Sequence, residues 1–230
     1  MVDKNIVVVG GNSGIGKTLI QKLQNSGANV FVFARNSNSG FNTIEWDVTQ
    51  DLPDLSSLPE VIHGLVYLPG TINLKPFHRL KIEDFQEDLN INLLGAIKIT
   101  QALINNLKKA EPASLVYVST AATKLGMPFH SSVAVSKSAI EGLAKSIAAE
   151  YAPKIRANVV APSLTDTPLA GRLLSTDEKR AASDQRHPLK RVGKTEDISN
   201  AIYYLLSDDS SWVSGQVLGV DGGMGSVKIV

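Results

Sequence analysis

Short apolar runs alternate along the chain with stretches whose apolar residues return every three or four positions. The first run, Ile6 to Val9, breaks into Gly10-Gly11-Asn12-Ser13-Gly14-Ile15-Gly16-Lys17-Thr18. Beyond it Ile15, Leu19, Ile20 and Leu23 mark one face of a helix of about three to four turns, which Ser26-Gly27 ends with a left-handed cap. Val30 to Ala34 is a continuous apolar run suited to a strand covered on both faces. Thr43 to Val48 predicts a weaker third strand and Leu65 to Leu68 a fourth, closed by Pro69-Gly70, with Gln50 to Glu60 between them reading as loop. Lys81 to Lys109 is a long amphipathic stretch, and Leu115 to Val118 a fifth strand running into Ser119-Thr120. Ser131 to Tyr151 is helical by pattern and Pro153 stops it. Val159 to Ala161 predicts a sixth strand ending in Pro162, Ile198 to Leu206 a further helix, and Gln216 to Val220 a last strand. Only Leu169 to Arg186, charged and irregular, has no obvious place in the core. Alternation of this kind, without repeats or low-complexity segments, predicts an α/β fold: a doubly wound parallel sheet with helices on both faces.

At 230 residues the chain builds one substantial core, so 1–230 is expected to be one domain. A net charge of +1 with scattered basic residues gives no footprint for nucleic acid. Ile6 to Val9 is too brief for a signal peptide or a membrane span. Without cysteine there is no disulfide framework or thiol chemistry, and a cytoplasmic protein away from membranes is the expectation.

The glycine-rich loop opens a helix, and such a loop aims backbone N–H groups and the positive end of the helix dipole at one point, where phosphate binds. Gly11 to Thr18 fits the P-loop pattern G-x-x-x-x-G-K-[ST], with Lys17 for phosphates and Thr18 for magnesium. Gly10, Gly14 and Gly16 equally fit a variant of the dinucleotide-binding turn of Rossmann domains. A P-loop enzyme needs a carboxylate after a buried strand, and the two candidates, Asp47 and Asp221, follow no fully apolar run of four. Under the dinucleotide reading the second strand ends in Ala34-Arg35, a base where an acid would meet a ribose 2′-hydroxyl, which points to NADP(H) over NAD(H).

Over nearly its whole length the chain resembles the short-chain dehydrogenase/reductase family. Gly10 to Gly16, with Asn12, Ser13, Gly14 and Ile15 inside it, resembles the family's T-G-x-x-x-G-x-G element, with Val9 in place of the usual Thr. Asp47-Val48 resembles the pair that meets the adenine, and Asn92 the helix asparagine that supports the proton relay. Pro162-Ser163-Leu164-Thr165-Asp166-Thr167-Pro168 resembles P-G-x-x-x-T-P, the segment that closes over the nicotinamide, with Ser163 replacing the glycine. Ser214-Gly215-Gln216 and Val220-Asp221-Gly222-Gly223 resemble the C-terminal signature. Of the family's N-N-A-G only Gly70 remains, in Tyr67-Leu68-Pro69-Gly70, and the short segment from Asp47 to Leu65 suggests a reduced or missing helix.

The main departure lies at the reacting centre. Family members carry a tyrosine proton donor with a lysine four residues later on the same helix face. Lys137 fits the lysine, but the tyrosine position is Val133; thirteen residues earlier Thr120 stands where a serine orients the carbonyl. Thr120 is preferred to Ser119 because neighbouring side chains on a strand face opposite ways. His130, seven residues before Lys137, is a candidate general acid near neutral pH. The resemblance thus implies an NADP-dependent oxidoreductase acting on a small carbonyl, alcohol or enoyl compound through a modified proton relay, with His130 or water as the donor. A catalytically silent NADP-binding relative and, remotely, a P-loop NTPase are the alternatives. It also implies a substrate-covering segment over 169–190 and a homodimer or homotetramer formed through the long helices and the last strand.

Overall fold

The computed structural model describes residues 1–37, 41, 43–110 and 112–228. Seven strands, β1 (Asn5–Val9), β2 (Asn29–Ala34), β3 (Thr43–Glu45), β4 (Gly64–Tyr67), β5 (Ala113–Val118), β6 (Ile155–Pro162) and β7 (Val217–Val220), form one sheet in the order β3-β2-β1-β4-β5-β6-β7, every pair parallel. Helices α1 (Gly14–Asn25), α2 (Ile82–Leu89), α3 (Gly95–Leu107), α4 (Ala122–Leu125), α5 (Ser131–Tyr151), α6 (Asp177–Arg186) and α7 (Thr195–Leu206) make the connections. The period-two geometry of β1 divides the core. Ile6 and Val8 join Leu19, Ile20 and Leu23 of α1 and Ile198, Ile202 and Leu205 of α7 on one face of the sheet. Val7 and Val9 join Ile99, Leu103 and Leu107 of α3 and Ile140, Ala144 and Ile147 of α5 on the other. This is the expected doubly wound α/β fold.

Several elements differ in extent from the apolar pattern, each for a physical reason. β6 starts at Ile155 rather than Val159, because its polar residues are buried with partners. The Arg156 guanidinium donates to the carbonyls of Val213 and Leu205 at 3.0 Å each, and the Asn158 amide to Val213 at 2.9 Å. β5 likewise begins at Ala113, with the Ser114 hydroxyl donating to the Leu205 carbonyl at 2.7 Å. β3 stops at Glu45, and Asp47 turns the chain by accepting from the backbone N–H and hydroxyl of Thr49 at 2.9 and 2.7 Å. From Gln50 to Glu60 there is no helix, as expected. The stretch from Lys81 to Lys109 is not one α-helix: a π-helical turn, Asn90–Leu94, joins α2 to α3. The irregular segment after β6 folds as a 3-10 helix, Pro168–Leu174, followed by α6, and buries Ala170 and Leu174 against Val192.

Because every strand is parallel, the segments leaving β1 through β7 gather along one edge of the sheet. The order reverses at β1, which has β2 on one side and β4 on the other, so a crevice opens there above the strand ends.

Candidate functional site

Gly10 lies at φ +85° and Gly14 at φ +51°, backbone conformations that residues with side chains rarely adopt. A Cβ on Gly16 would run into the Gly10 carbonyl oxygen, so all three glycines are required by the way the loop folds back on itself. Ser13 is the N-cap of α1 and makes no side-chain cap bond, which leaves the first N–H groups of the helix directed outward. Asn12 donates its amide to the Asn36 carbonyl, while its own Oδ1 is buried without a partner. Such a cradle can hold a pyrophosphate. Arg35 is exposed at the end of β2 and has no ion pair among the described residues. It lies near Asp47, whose carboxyl is held below the usual carboxylate range first by the Thr49 N–H and hydroxyl, then by the Arg35 and Lys98 charges. Val48 buries its side chain against Gly95.

A cavity of about 300 Å³ adjoins this crevice. Of the residues singled out in the sequence, Ile15, Gly70, Thr120, His130, Val133, Lys137, Pro162, Thr165 and Thr167 line it. Gly14 and Thr167 tie cradle to cavity, since a Cβ on the glycine would meet the Thr167 Cγ2 at 3.2 Å. Lys137 is 5% exposed. Its ammonium donates to the carbonyls of Val118 at 2.9 Å and Pro69 at 3.3 Å, and burial pushes its pKa down to about 8 against the pull of the Asp88 carboxylate. A solvent-facing lysine is therefore excluded at this position. Val133 is one turn earlier on α5 and presents only methyl groups.

Asn92 stands behind the cavity, fully buried in the π-turn. Its Oδ1 accepts from the Thr71 N–H at 3.2 Å, and its Nδ2 donates to the Thr71 and Ser136 hydroxyls at 3.1 and 2.9 Å. Thr71 in turn donates its hydroxyl to Asp88 Oδ1 at 2.5 Å. The asparagine thereby fixes the loop after β4, where a Cβ on Gly70 would meet the Lys137 Nζ at 3.3 Å.

The hydroxyls divide clearly. Ser119 donates to Glu141 on α5, whereas the Thr120 oxygen only accepts, from the Ala122 N–H at 3.3 Å, so its proton is free. His130 is the N-cap of α5 at the partly exposed rim, with Nδ1 2.7 Å from the Pro128 carbonyl. The remaining tyrosines near the sheet supply no proton to the cavity. Tyr67 donates to the Ile91 carbonyl at 2.5 Å, Tyr117 shares a 2.8 Å bond with Thr100, and burial pushes both hydroxyls up.

Sequence reasoning did not find His187. It is 3% exposed and lines the same cavity, with Nδ1 2.8 Å from the Ser183 carbonyl and Nε2 3.0 Å from the Ser163 hydroxyl. No periodicity marks it, because it follows α6 in the irregular segment; Ser163, in place of the family's glycine, was the one available signal. The two side chains of the P-loop reading lie apart from the cavity: the Thr18 hydroxyl is turned to Thr195 at 2.9 Å, and Lys17 is exposed. Among the described residues no group of three His, Asp or Glu side chains is placed to hold a metal, and no helix is long and apolar enough to cross a membrane.

A family model described as enoyl-(acyl carrier protein) reductase matches residues 9–225. The chain is 32% identical over 234 residues to the 3-oxoacyl-[acyl-carrier-protein] reductase MabA of Mycobacterium avium, covering 97% of this chain and 91% of that protein. It is 31% identical over 241 residues to the 3-oxoacyl-[acyl-carrier-protein] reductase FabG of Thermotoga maritima, covering 96% and 97%. Among solved structures, the ligand-free aldohexose dehydrogenase of Thermoplasma acidophilum superposes with a TM-score of 0.89 at 25% identity, covering 100% of this chain and 96% of that one. ElxO with NADP bound superposes with a TM-score of 0.85 at 25% identity, covering 98% of this chain and 100% of that one. With a family model spanning nearly all of it and full-length relatives above 30% identity, the chain belongs to the short-chain dehydrogenase/reductase family of oxidoreductases.

Proposed function

We propose that the protein transfers a hydride between NADP(H) and a small carbonyl or alcohol substrate, enoyl compounds included, through a proton relay in which Val133 stands where the family's tyrosine would be. The observation that carries this reading is Lys137, a buried ammonium held by two backbone carbonyls on the wall of a cavity that continues the glycine cradle. The cradle's glycines, the orphaned Asn12 Oδ1 and the unpaired Arg35 fit a dinucleotide carrying a 2′-phosphate. When bound, that cofactor supplies the hydride, and the chain's task is to position and shield the reactants. Lys137 holds the ribose side of the site with its remaining N–H, Thr120 orients the substrate oxygen with its free proton, and Asn92 fixes the loop that carries Gly70. The segment over 169–190 covers the substrate. Beside the cavity and sharing Leu173 and Arg186 with it, Arg172, Lys179 and Arg186 form a cationic wall suited to an anionic end of the substrate. The exposed Val217, Leu218 and Trp212 near the β7 edge support association with further copies of the chain.

Val133 also gives the second reading its observation: a chain without the family's proton donor that binds NADPH and turns nothing over. One experiment separates the two. NADPH and NADH oxidation is followed with a panel of ketones and enoyl compounds for the wild type and Val133→Tyr. The enzyme reading expects turnover with NADPH ahead of NADH and a gain on ketones in the variant. Tight NADPH binding without turnover by the wild type leaves the silent relative standing.

A further inference from the structure

Removal of the tyrosine leaves the reaction short of an acid, and the cavity wall shows where another is placed. Most hydroxyls that line it have their proton committed to a fixed acceptor. Thr71 donates to Asp88 at 2.5 Å, Thr165 to the Ser163 carbonyl at 3.0 Å, Thr167 to the Thr165 carbonyl at 3.3 Å, and Ser119 to Glu141. Thr120 and Ser163 remain. The Thr120 oxygen accepts from the backbone N–H of Ala122, which cannot resupply a proton once one is given away. The Ser163 oxygen has an imidazole 3.0 Å behind it.

The contacts fix which nitrogen of that imidazole always carries a hydrogen. A carbonyl oxygen only accepts, so His187 Nδ1, 2.8 Å from the Ser183 carbonyl, must carry a hydrogen. In the neutral ring Nε2 is bare and accepts the Ser163 proton. In the protonated ring Nε2–H donates to Ser163, and the serine's own proton turns to the Met224 sulfur, 3.1 Å away. Thioether sulfur is a weak acceptor, so a substrate carbonyl oxygen displaces it, the more so as negative charge gathers there. His130 has no comparable arrangement: it is at the rim, with no hydroxyl between its ring and the cavity among its hydrogen bonds.

We infer that Ser163 and His187 form the proton-donating pair of this protein, with Ser163 touching the substrate oxygen and His187 positioned behind it as the source. The inference rests on the function proposed above. As the substrate carbon receives a hydride from the reduced nicotinamide dinucleotide, negative charge gathers on its oxygen. The Ser163 O–H bond breaks toward that oxygen, the His187 Nε2–H bond breaks toward the Ser163 oxygen, and the neutral imidazole left behind regains its proton from solvent. Charge and protons balance, and oxidation runs the same steps backwards. The serine at a position where the family has glycine, and the histidine buried against it, are thus one device that replaces the missing tyrosine.

The test uses the full chain with NADPH and whichever ketone it reduces fastest. His187→Gln and Ser163→Gly are expected to lower kcat by about 100-fold or more, the usual contribution of general acid catalysis, with NADPH affinity unchanged. Ser163→Thr, which keeps the hydroxyl, is expected to turn over at least tenfold faster than Ser163→Gly, and Val133→Tyr added to His187→Gln to restore turnover. Nitrogen-15 NMR of the free protein supplies a readout apart from activity: Nδ1 of His187 carries a proton, and Ser163→Gly shifts the Nε2 resonance while leaving Nδ1 in place. An active wild type whose Ser163→Gly variant keeps kcat within about twofold overturns the relay alone, as does an Nδ1 without its proton. A wild type that binds NADPH and reduces nothing overturns the proposed function and the relay together.

Discussion

A lysine ammonium loses its water shell when it is buried, and the protein must either replace that shell or let the group give up its proton. At Lys137 two carbonyls and the charge of Asp88 replace part of it, and the remaining deficit shows as a pKa of about 8. The consequence for stability has a definite sign. Below pH 8 folded and unfolded chains both hold the proton and the cost of burying the charge is constant. Between 8 and the unfolded value near 10.4 the unfolded chain binds more protons, so stability rises with pH. Relative to a Lys137→Met variant, which has no such titration, the wild type is expected to gain up to about 3 kcal/mol over that interval, at 1.36 kcal/mol per pKa unit. Denaturant unfolding of both proteins from pH 7 to pH 10.5 measures it; a difference that stays flat across pH contradicts a depressed lysine. The sequence singled the residue out through its resemblance to the family pattern, in register with Asn92 and Thr120. Its burial was not, because periodicity on α5 is weakened by the many small residues around it.

The elements were legible where apolar runs are unbroken, as in β1, β2 and β4, and where a cap or proline bounds them, as in α1 and α5. They were hidden where buried polar groups interrupt the pattern. Arg156 and Asn158 concealed the first half of β6, since their partners lie in the segments around Leu205 and Val213, far away in sequence. The π-turn at Asn90–Leu94 was concealed for a different reason. One wider turn inside an amphipathic stretch hardly disturbs the apolar spacing, yet it sets Asn92 facing Thr71 and Ser136. Turns of this kind occur often at functional sites. Their value here can be measured through Asn92→Ala, which leaves the Thr71 N–H without its acceptor, while the Ser136 hydroxyl keeps its bond to the Val133 carbonyl at 3.0 Å. With a cost of about 1–3 kcal/mol for a buried donor left unpaired, the variant is expected to lose about 1–3 kcal/mol in urea unfolding and to lower kcat through the displaced loop at Gly70. A loss under 0.5 kcal/mol sinks the view that this asparagine holds the loop.

For the molecule as a whole, the reversal of strand order at β1 decides where everything meets. The glycine cradle and Arg35 come from the β1–β3 half, while Lys137, Thr120 and the segment from Pro162 to Thr167 come from the β4–β7 half; the approach of Thr167 to Gly14 is where the halves touch. A dinucleotide lying across that line binds only the folded chain, so its affinity adds to global stability as RT ln(1 + [L]/Kd). At a hundredfold excess over Kd that is about 2.7 kcal/mol, a rise of about 5–10 °C in Tm for a chain of this size. Arg35 provides the means of separating the cofactors. On the proposed reading its charge, which also acts on Asp47, meets a 2′-phosphate at the end of β2, so Arg35→Ser is expected to remove most of the NADPH-induced rise and leave any NADH-induced rise unchanged. Thermal unfolding with each cofactor at matched concentration checks this. Equal losses for both cofactors would place Arg35 in the structure of the cradle and not in the choice of NADPH, and a wild type stabilised more by NADH would remove the 2′-phosphate from the site altogether.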